Sequence, residues 1–367
     1  MKIAKVEAFP VCLPLRKPFS IALGTVTHFS HVIVRITADE GIVGYGEGST
    51  WHVVYGYDQH MLKWAIENYL GPGVVGMDPF DIEAILKRMD VVLPNNLMAK
   101  AGVEIACQDL RAKAQGIPLV QLLGGSLVNV IEGLQFIDIV PPEEAAQMAL
   151  GFVKEGYGCI KIKVGLNPAE DIERVRVVRK AVGPDIRLRV DGNQGYDRVS
   201  AMKVCKAMEQ FDLQWIEQPL PDWDLEGLAT LTGTFSTPIA VDESVYGIHD
   251  VYRVARAGAA DVINIKVSKC GGITNSLKVA HAAQAMGIPC FLGGCIETGV
   301  GVAAALHFAA CSPNLFPGVE LAGSGMFTDD IISKPLILHR GMIPLPSGPG
   351  IGVDVQLNKL GRYSMPR

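Results

Sequence analysis

Residues 159–193 read CIKIKVGLNPAEDIERVRVVRKAVGPDIRLRVDGN, and this stretch decides the fold class. Cys159–Val164 alternates apolar and basic side chains, which is typical of a strand. Asp171–Val182 spaces its apolar residues as one helical face does, and Gly183-Pro184 punctuates the return to a second strand-like run, Ile186–Val190. The stretch therefore predicts two parallel strands joined by a helix.

The same rhythm continues along most of the chain. Strand-like runs recur at intervals of roughly 25 residues, and helical segments separate them. The runs are Leu134–Ile139, Cys159–Val164, Ile186–Val190, Gln214–Glu217, Ile239–Val241, Val262–Val267, Pro289–Leu292 and Gly318–Leu321. This series predicts a closed (β/α)8 TIM barrel. An open doubly wound sheet is the competing architecture, but no Gly-x-Gly-x-x-Gly turn opens its first helix.

The two ends of the chain follow other patterns. Residues 1–50 predict an antiparallel meander and residues 58–115 a set of helices, so we predict an α+β domain over residues 1–125. The barrel is predicted over residues 126–325. Residues 326–367 are rich in proline and glycine, and we expect this segment to return to the N-terminal domain.

The composition argues against several classes of function. The chain has 367 residues, of which 49% are hydrophobic and 19% charged, and its formal net charge is -5. No basic tract or long apolar run stands out, so we expect neither a nucleic-acid nor a membrane partner. Met1 leads straight into a strand-like segment, which predicts a soluble cytoplasmic protein. The eight cysteines form no Cys-x-x-Cys pair, so we expect reduced core thiols rather than disulfides or a zinc site.

Acidic residues follow three consecutive predicted strands, at Asp191, Glu217 and Asp242. Because catalytic groups of such barrels lie at the strand ends of one face, we expect these carboxylates to converge. Converging carboxylates repel one another unless a cation lies between them, and an all-oxygen set suits Mg²⁺, or Mn²⁺, better than zinc. Any one of them alone is typical of a helix N-cap. Three in succession favour a metal site.

Lysines interrupt the apolar strands on either side of these carboxylates. Lys161 and Lys163 lie on one face of their strand because strand side chains alternate. Lys266 lies near the end of the predicted sixth strand, and Lys269 follows that strand. A lysine buried in an apolar strand is costly unless it is paired or functional. The alternative is that each lysine only forms an ion pair with a carboxylate of the metal site.

These residue types together suit the removal of a proton next to a carboxylate. The product of that step is a dianionic enediolate, whose charge a metal ion offsets. A lysine acts as the base if its pKa falls towards about 7–8, which burial and neighbouring positive charge achieve. Two lysines on opposite faces, Lys163 and Lys266, permit inversion, because one removes the proton and the other returns it.

The motifs in this order resemble those of the enolase superfamily, and of its muconate lactonizing enzyme subgroup in particular. They are Lys-x-Lys at 161–163, Asp-x-Asn at 191–193, Glu-Gln-Pro at 217–219, Asp-Glu-Ser at 242–244 and Ile-Lys…Gly-Gly at 265–272. The resemblance covers nearly the whole chain. It implies an α/β fold in which an N-terminal α+β domain caps a modified (β/α)8 TIM barrel.

Carried over by position, the resemblance also implies the roles of the site residues. Asp191, Glu217 and Asp242 match the metal ligands, with Mg²⁺ as the cofactor and Mn²⁺ possible. Lys163 and Lys266 match the acid/base pair. The supporting residues are Lys161, Asn193, Glu243 and Lys269.

Substrate choice in this subgroup is implied to depend on two loops of the cap, here Phe19–His28 and Thr50–Tyr57. The candidate substrate-binding residues are His52, Tyr55, Tyr57, Glu297 and Glu320. The alternative for the aromatic residues is that they only pack at the domain interface. The seventh strand lacks the histidine of mandelate-racemase-type members. The eighth reads Glu320-Leu321-Ala322-Gly323, without the Asp-x-Asp with which dipeptide epimerases hold an ammonium group.

We therefore predict a Mg²⁺-dependent racemase or epimerase of an amino-acid derivative, a homo-oligomer acting on a small carboxylate. Muconate-type cycloisomerisation and dehydration of a hydroxy acid such as a hydroxyproline share the first step and stay open. Another class, a phosphosugar isomerase or aldolase, would bind phosphate at Leu292-Gly293-Gly294 but leaves the carboxylates unexplained. A non-catalytic binding barrel would not need buried lysines.

Overall fold

The N-terminal unit begins with the predicted antiparallel meander. The computed structural model of the protein describes residues 1–321 and 323–364. Its first sheet has the order β1-β2-β3, formed by β1 (Ile3–Ile21), β2 (Gly24–Ala38) and β3 (Val43–Ser49). Pairing of β1 with β2 continues to Ile21 and Gly24, so the segment predicted as the loop Phe19–His28 is the end of a two-stranded ribbon.

Several helices follow this sheet, and the longest of them, α5 (Leu97–Ala114), packs directly against β2 and β3. These helices are α1 (His52–Tyr55), α2 (Gln59–Ala65), a π-helical turn (Ile66–Leu70), α3 (Gly71–Val74), α4 (Ile82–Val92), α5 (Leu97–Ala114) and α6 (Leu119–Leu122). Three glycines on β3 let α5 approach closely. A Cβ atom at Gly46 would lie 2.1 Å from the carbonyl oxygen of Gly102, and one at Gly44 would lie 2.2 Å from that of Ala106. The sequence Gly44–Gly48 therefore serves the packing of the cap.

Seven parallel strands form the main sheet, in the order β11-β10-β9-β8-β7-β6-β5. They are β5 (Gln135–Ile137), β6 (Cys159–Lys163), β7 (Arg187–Asp191), β8 (Leu213–Glu217), β9 (Ile239–Val241), β10 (Val262–Ile265) and β11 (Cys290–Leu292). The crossover helices are α7 (Pro142–Lys154), α8 (Pro168–Val182), α9 (Arg198–Met208) with a 3₁₀ turn (Glu209–Phe211), α10 (Leu225–Thr234), α11 (Ile248–Ala257) and α12 (Ile273–Ala285); α13 (Gly299–Cys311) follows β11. This confirms the predicted barrel architecture with its N-terminal cap.

The prediction of an eighth strand at Gly318–Leu321 is wrong, because this segment does not form a regular strand. The segment closes the ring through a few backbone hydrogen bonds. Glu320 N donates to Leu292 O (3.0 Å) on one side, while Val319 N donates to Glu132 O (2.9 Å) and Leu134 N to Val319 O (3.0 Å) on the other. Its regularity ends for two reasons. Pro317 has no N–H to donate, and Gly318 has a φ of +87°.

A buried arginine supplies hydrogen bonds at this seam, where a regular ladder of backbone hydrogen bonds between strands is missing. Arg189 of β7 donates to the carbonyl oxygens of Gly318 and Pro317, each at 2.6 Å. Its guanidinium group also stacks 3.9 Å from the centre of the Trp215 ring. The barrel interior at this level is therefore filled by a cation and aromatic rings.

The C-terminal segment carries α14 (Gly323–Met326), β12 (Met342–Pro344) and α15 (Leu357–Arg362). β12 pairs antiparallel with β4 (Val130–Glu132), a short strand that precedes the barrel. Cys12 N donates to Tyr363 O (2.9 Å), so the segment also contacts β1. The domain boundaries at 125/126 and 325/326 stay a prediction. No helix in residues 1–321 and 323–364 is long and apolar enough to cross a membrane.

Candidate active site

The strand register places the predicted site residues at one height. Lys163 of β6 pairs with Asp191 of β7, and Asp191 pairs with Glu217 of β8. Asp242 lies just beyond β9, two residues after Ala240, the partner of Glu217. All three carboxylates are at most 1% exposed. The parallel ladder therefore brings them to the same end of the barrel, as expected from the sequence.

Lys161 is the central cation of this cluster. Its ammonium nitrogen lies 3.0 Å from Asp191 Oδ2, 2.7 Å from Glu217 Oε2 and 2.8 Å from Glu320 Oε1. It donates to the second oxygen of Glu320 as well, at 3.0 Å. Glu320, a candidate substrate-binding residue, thus has both carboxylate oxygens in hydrogen bonds to Lys161.

Lys163 lies on one side of the cluster and is held by the next strand. Its Nζ donates to Asp191 Oδ2 (2.6 Å) and to Asn193 Oδ1 (3.0 Å). Asn193 in turn donates to Glu243 Oε1 (3.3 Å). Asn193 has a φ of +39°, a left-handed conformation that asparagine tolerates better than most residues. The amide thereby links Lys163 to a carboxylate beyond β9.

Lys266 lies on the other side, four strands away from Lys163 in the sheet order. Its Nζ lies 2.5 Å from Asp242 Oδ2 and donates to Tyr55 Oη at 2.8 Å. Lys269 is completely buried and donates to Asp242 Oδ1 (2.7 Å), Asp242 O (2.5 Å) and Asn264 O (3.0 Å). Three acceptors satisfy the three donors of this ammonium group, so Lys269 fixes Asp242 in place.

Charge balance sets the pKa of these groups. Burial alone raises the pKa of Asp191 and Asp242, but the lysines beside them outweigh burial and lower both. Burial and the neighbouring carboxylates raise the pKa of Glu217. Burial lowers the pKa of Lys161 and Lys266, but their carboxylate partners raise it well above the usual value. Ion pairing with carboxylates therefore outweighs burial for Lys161 and Lys266 in this arrangement. The expected fall in lysine pKa in the site with its metal ion stays a prediction.

The donor chemistry of the cluster fits a hard divalent cation. Counted as ionised, five carboxylates meet four ammonium groups, so the formal charge of the cluster is negative. The carboxylates are Asp191, Glu217, Asp242, Glu243 and Glu320, and the lysines are 161, 163, 266 and 269. Glu243 Oε2 is buried without a hydrogen-bond partner among the described residues.

The carboxylates of the cluster are not already arranged as ligands around one cation position. Within the described ranges, no three acidic, histidine or cysteine side chains already stand in a metal-binding arrangement. The reason is that Lys161 bridges Asp191 and Glu217, while Lys266 contacts Asp242. A cation at this position would take over these contacts. Oxygen-only ligation of this kind suits Mg²⁺.

The predicted substrate-binding residues separate into two groups. Tyr55 reaches Lys266, and Glu297 accepts hydrogen bonds from Cys295 N (2.8 Å) and Ser268 Oγ (3.2 Å) near it. His52 is exposed on α1 and lines a cavity of about 460 Å³ whose lining includes none of the lysines or carboxylates of the cluster. The hydroxyl group of Tyr57 lies against the backbone of Asn96 and Leu97 within the cap. The structure therefore does not bring His52 or Tyr57 to the cluster.

Asn264 is a site residue that the sequence analysis did not single out. Its Nδ2 donates to Glu217 Oε1 (2.8 Å), and its carbonyl oxygen accepts from Lys269. A Cβ atom at Gly293 would lie 2.3 Å from Asn264 Oδ1, so the glycine makes room for the amide. The sequence does contain a signal for this residue. Asn264 precedes Lys266 by two residues, and because strand side chains alternate, the two side chains point to the same face.

This geometry defines an enzyme class: a capped barrel in which three strand-end carboxylates lie between two buried lysines. Residues 143–359 match the model for the enolase C-terminal domain-like family. Residues 3–124 match that for the mandelate racemase / muconate lactonizing enzyme N-terminal domain. The chain belongs to the mandelate racemase/muconate lactonizing enzyme family and is an enzyme of the enolase superfamily.

Solved structures of this family overlay on nearly the whole chain. The N-succinyl Arg/Lys racemase of Bacillus cereus has a TM-score of 0.96 at 33% identity, covering 100% of this chain and 98% of that one. A dipeptide epimerase of Enterococcus faecalis, complexed with Mg and the dipeptide L-Leu-L-Tyr, has a TM-score of 0.92 at 36% identity, covering 96% and 100%. The 2-chloromuconate cycloisomerase of Rhodococcus opacus has a TM-score of 0.97 at 31% identity, covering all of both chains. The family thus includes racemases, epimerases and cycloisomerases.

Proposed function

We propose that this enzyme catalyses a Mg²⁺-dependent 1,1-proton transfer next to a substrate carboxylate, as a racemase or epimerase of an amino-acid derivative. The observation that carries the proposal is the pair of buried lysines, Lys163 and Lys266, on opposite sides of the carboxylate cluster. A single acid/base group returns a proton to the face from which it came. Two opposed groups allow inversion.

The two lysines exchange roles with the direction of the reaction. One lysine, as the neutral amine, takes the α proton, and the electron pair of the C–H bond moves into the enediolate. The opposite lysine, as the ammonium ion, donates a proton to the other face of the same carbon. Asp191, Glu217 and Asp242 would hold the Mg²⁺, which when bound supplies positive charge against the developing dianion. No oxidant or other co-reactant is needed, because protons taken and given balance.

The substrate is proposed to be an N-acylated amino acid rather than a peptide with a free amino group. An ammonium group requires an unengaged carboxylate, and both oxygens of Glu320 accept hydrogen bonds from Lys161. The sequence at this strand end also lacks the second acidic residue of an Asp-x-Asp motif. A racemase of N-succinyl amino acids covers the whole of this chain, and a dipeptide epimerase covers 96% of it, so the test below includes both classes of compound.

Muconate-type cycloisomerisation is the second candidate, because a chloromuconate cycloisomerase matches the full length of the chain with a TM-score of 0.97. That reaction also proceeds through an enediolate, but it needs a proton transfer on one face only. The two candidates therefore differ in whether both lysines are essential.

The test is α-proton exchange in deuterated water with Mg²⁺, followed by proton NMR. The panel contains both enantiomers of N-succinyl-lysine and N-succinyl-arginine, L,L-dipeptides, proline derivatives, hydroxy acids and cis,cis-muconate. We expect deuterium at the α carbon of the N-succinyl compounds together with loss of optical rotation, and no exchange after chelation of the metal. Conversion of muconate without exchange of the amino-acid derivatives would favour cycloisomerisation. Metal-independent exchange, or none with any compound, would contradict the proposal.

A further inference from the structure

The two catalytic lysines are anchored by different parts of the molecule. Lys163 is held by Asp191 and Asn193, which both belong to β7 and the turn after it. Lys266 contacts Asp242 of the barrel and, in addition, Tyr55 of the cap, 211 residues earlier in the chain. Tyr55 is buried and packs edge-on against Tyr246, with ring centres 6.4 Å apart.

A second cap residue contacts the turn that follows Lys266. Ser49, the last residue of β3, is hydrogen-bonded through Oγ to Ser268 Oγ at 3.0 Å. Ser268 donates onward to Glu297 at 3.2 Å. All three side chains are buried. The end of β10 and the end of β11 are thus joined to the cap by one polar chain.

Glu104 of α5 forms the third contact, at the helix that begins after this turn. Its carboxylate accepts from Ile273 N (2.8 Å), Thr274 N (3.0 Å) and Thr274 Oγ1 (2.6 Å). These are the first backbone donors of α12, which no residue within the helix can satisfy. A cap glutamate therefore acts as the N-cap of a barrel helix and fixes the direction of the chain after Lys266.

Glu47 of β3 repeats this arrangement one strand further on. It accepts from Thr298 N (3.1 Å), Thr298 Oγ1 (2.5 Å) and Gly301 N (2.9 Å) at the start of α13. His31 of β2 is hydrogen-bonded through Nε2 to the carbonyl oxygen of Ile296 at 3.0 Å. Ile296 has a φ of +55°, which is strained for a β-branched residue, so the cap holds this turn in its conformation.

The Lys163 side has no equivalent. Among the side-chain hydrogen bonds and ion pairs of residues 1–321 and 323–364, none joins the cap to Lys163, Asp191 or Asn193. On that side the cap packs beside the turn after β6, where a Cβ atom at Gly165 would lie 3.0 Å from Ala22 Cβ. Its polar contacts there reach the end of β5 instead: Ser20 N donates to Asp138 Oδ2 (3.3 Å), and Ile139 N donates to Ser20 O (3.1 Å). Direct polar contact between the cap and a catalytic lysine is thus found, among the described residues, at Lys266 and not at Lys163.

We infer that Tyr55 is a positioning residue for Lys266 alone, supported by Ser49 and Glu104, so that the cap controls one of the two proton transfers and not the other. This rests on the proposed function. Without the phenol oxygen, the Lys266 ammonium or amine nitrogen loses the acceptor or donor that aims it at the α carbon. The Lys163 nitrogen keeps its partners. Because each racemisation uses both lysines, the overall rate falls equally in both directions and does not reveal which lysine is affected. Exchange of the α proton on each face does reveal it.

The experiment combines Tyr55→Phe with variants in which only one lysine remains. In Lys163→Ala, exchange of the α proton proceeds through Lys266 only, and in Lys266→Ala through Lys163 only. The probes are N-succinyl-L-lysine and N-succinyl-D-lysine with Mg²⁺ in deuterated water. We expect Tyr55→Phe to slow exchange about tenfold or more in the Lys163→Ala background, and less than about twofold in the Lys266→Ala background. The matched control is Tyr246→Phe, which removes the hydroxyl group of the neighbouring ring. We expect this variant to slow exchange in neither background.

Equal slowing in both backgrounds would overturn the inference while leaving the two-lysine function intact. If the parent enzyme exchanges neither probe, the proposed function fails for this substrate class, and a substrate-free measurement decides the inference. Backbone hydrogen exchange of Ser49→Ala and Glu104→Gln with Mg²⁺ is then expected to rise in residues 266–276 and not in 161–167. An equal rise in both segments, or no rise in either, would contradict it.

Discussion

The Lys163 side and the Lys266 side of the active site contain the same groups but are built differently. Lys163 alternates with Lys161 on one strand, and its partners follow on the next strand. Lys266 depends on Asp242 from the neighbouring strand and on Tyr55 from the cap. Lys163 is thus held by neighbouring strands of the barrel, whereas Lys266 is held by a neighbouring strand and also by the cap. Changes at the cap should therefore affect one side more than the other.

Removal of either lysine is the largest expected effect. Lys163→Ala and Lys266→Ala should each reduce racemisation by about 10³-fold or more, because general acid–base groups contribute on that scale. Polarimetry with the substrate found by the exchange panel measures the loss, and circular dichroism checks that the fold is kept. The exposed Lys206 of α9 offers a control, and Lys206→Ala should retain full activity. Full activity in both active-site variants would refute the two-lysine mechanism.

The carboxylates shared by the two sides come next. Glu217→Gln and Asp191→Asn should weaken Mg²⁺ binding by about 100-fold or more in isothermal titration, because each removes a charged oxygen ligand from a buried site. Asn264→Ala should weaken binding by about tenfold, since its amide orients Glu217. Glu226 is exposed on α10, and Glu226→Gln should leave Mg²⁺ affinity unchanged. Unaltered affinity in both Glu217→Gln and Asp191→Asn would place the metal elsewhere.

The two sides should also differ in how much helix capping contributes to the free energy of unfolding. Glu104→Ala leaves the buried donors of Ile273 and Thr274 without an acceptor, and should lower the free energy of unfolding by about 3 kcal/mol. On the Lys163 side, α8 is capped locally by Asn167, whose side chain accepts from Ala169 N and Glu170 N. Asn167→Ala should lower the free energy of unfolding by about 1 kcal/mol. Urea denaturation compares the two. A larger loss for Asn167→Ala would show that the contact between domains is weaker than the local cap.

A buried histidine at the junction of cap and barrel gives a smaller effect than the loss of Glu104, namely a dependence of stability on pH. His307 of α13 accepts from Val120 N of α6 at 3.2 Å, and burial lowers its pKa from 6.5 to about 4. Between these two values the unfolded chain binds the proton and the folded chain does not. The contribution to stability is therefore complete above pH 6.5 and is lost as the pH falls towards 4.

From pH 7 to pH 5 this group should remove about 2 kcal/mol of the free energy of unfolding. His307→Gln should abolish that part of the pH dependence, as measured by urea denaturation at both values. An identical pH dependence in the variant would show that His307 is not held in the neutral form.

The parts of the site that sequence alone predicted are those in which local rules suffice. Alternation places Lys161 and Lys163 on one face, and the end of each strand follows from its apolar run. The convergence of Asp191, Glu217 and Asp242 could therefore be predicted, and their role as metal ligands stays a prediction. The contact of Tyr55 with Lys266 depends on domain packing across 211 residues, which no local pattern encodes. The sequence predicts Tyr55, His52 and Tyr57 alike as substrate-binding residues. Nothing in the sequence indicates that only Tyr55 reaches the cluster.

One expectation was wrong for a physical reason. Gly318–Leu321 has the composition of a strand, but Pro317 before it has no N–H to donate and Gly318 has a positive φ. Arg189, from a distant strand, takes up the carbonyl groups of Pro317 and Gly318 at this seam. The sequence displays the proline and the glycine, but it does not show that Arg189 lies beside them.

The central claim is that two lysines act on opposite faces of one carbon. The most direct measurement is α-proton exchange of each enantiomer of N-succinyl-lysine by the parent enzyme, Lys163→Ala and Lys266→Ala in deuterated water with Mg²⁺. The parent should exchange both enantiomers, Lys163→Ala only one, and Lys266→Ala only the other. Exchange of the same enantiomer by both variants, or of both enantiomers by either, would contradict the claim.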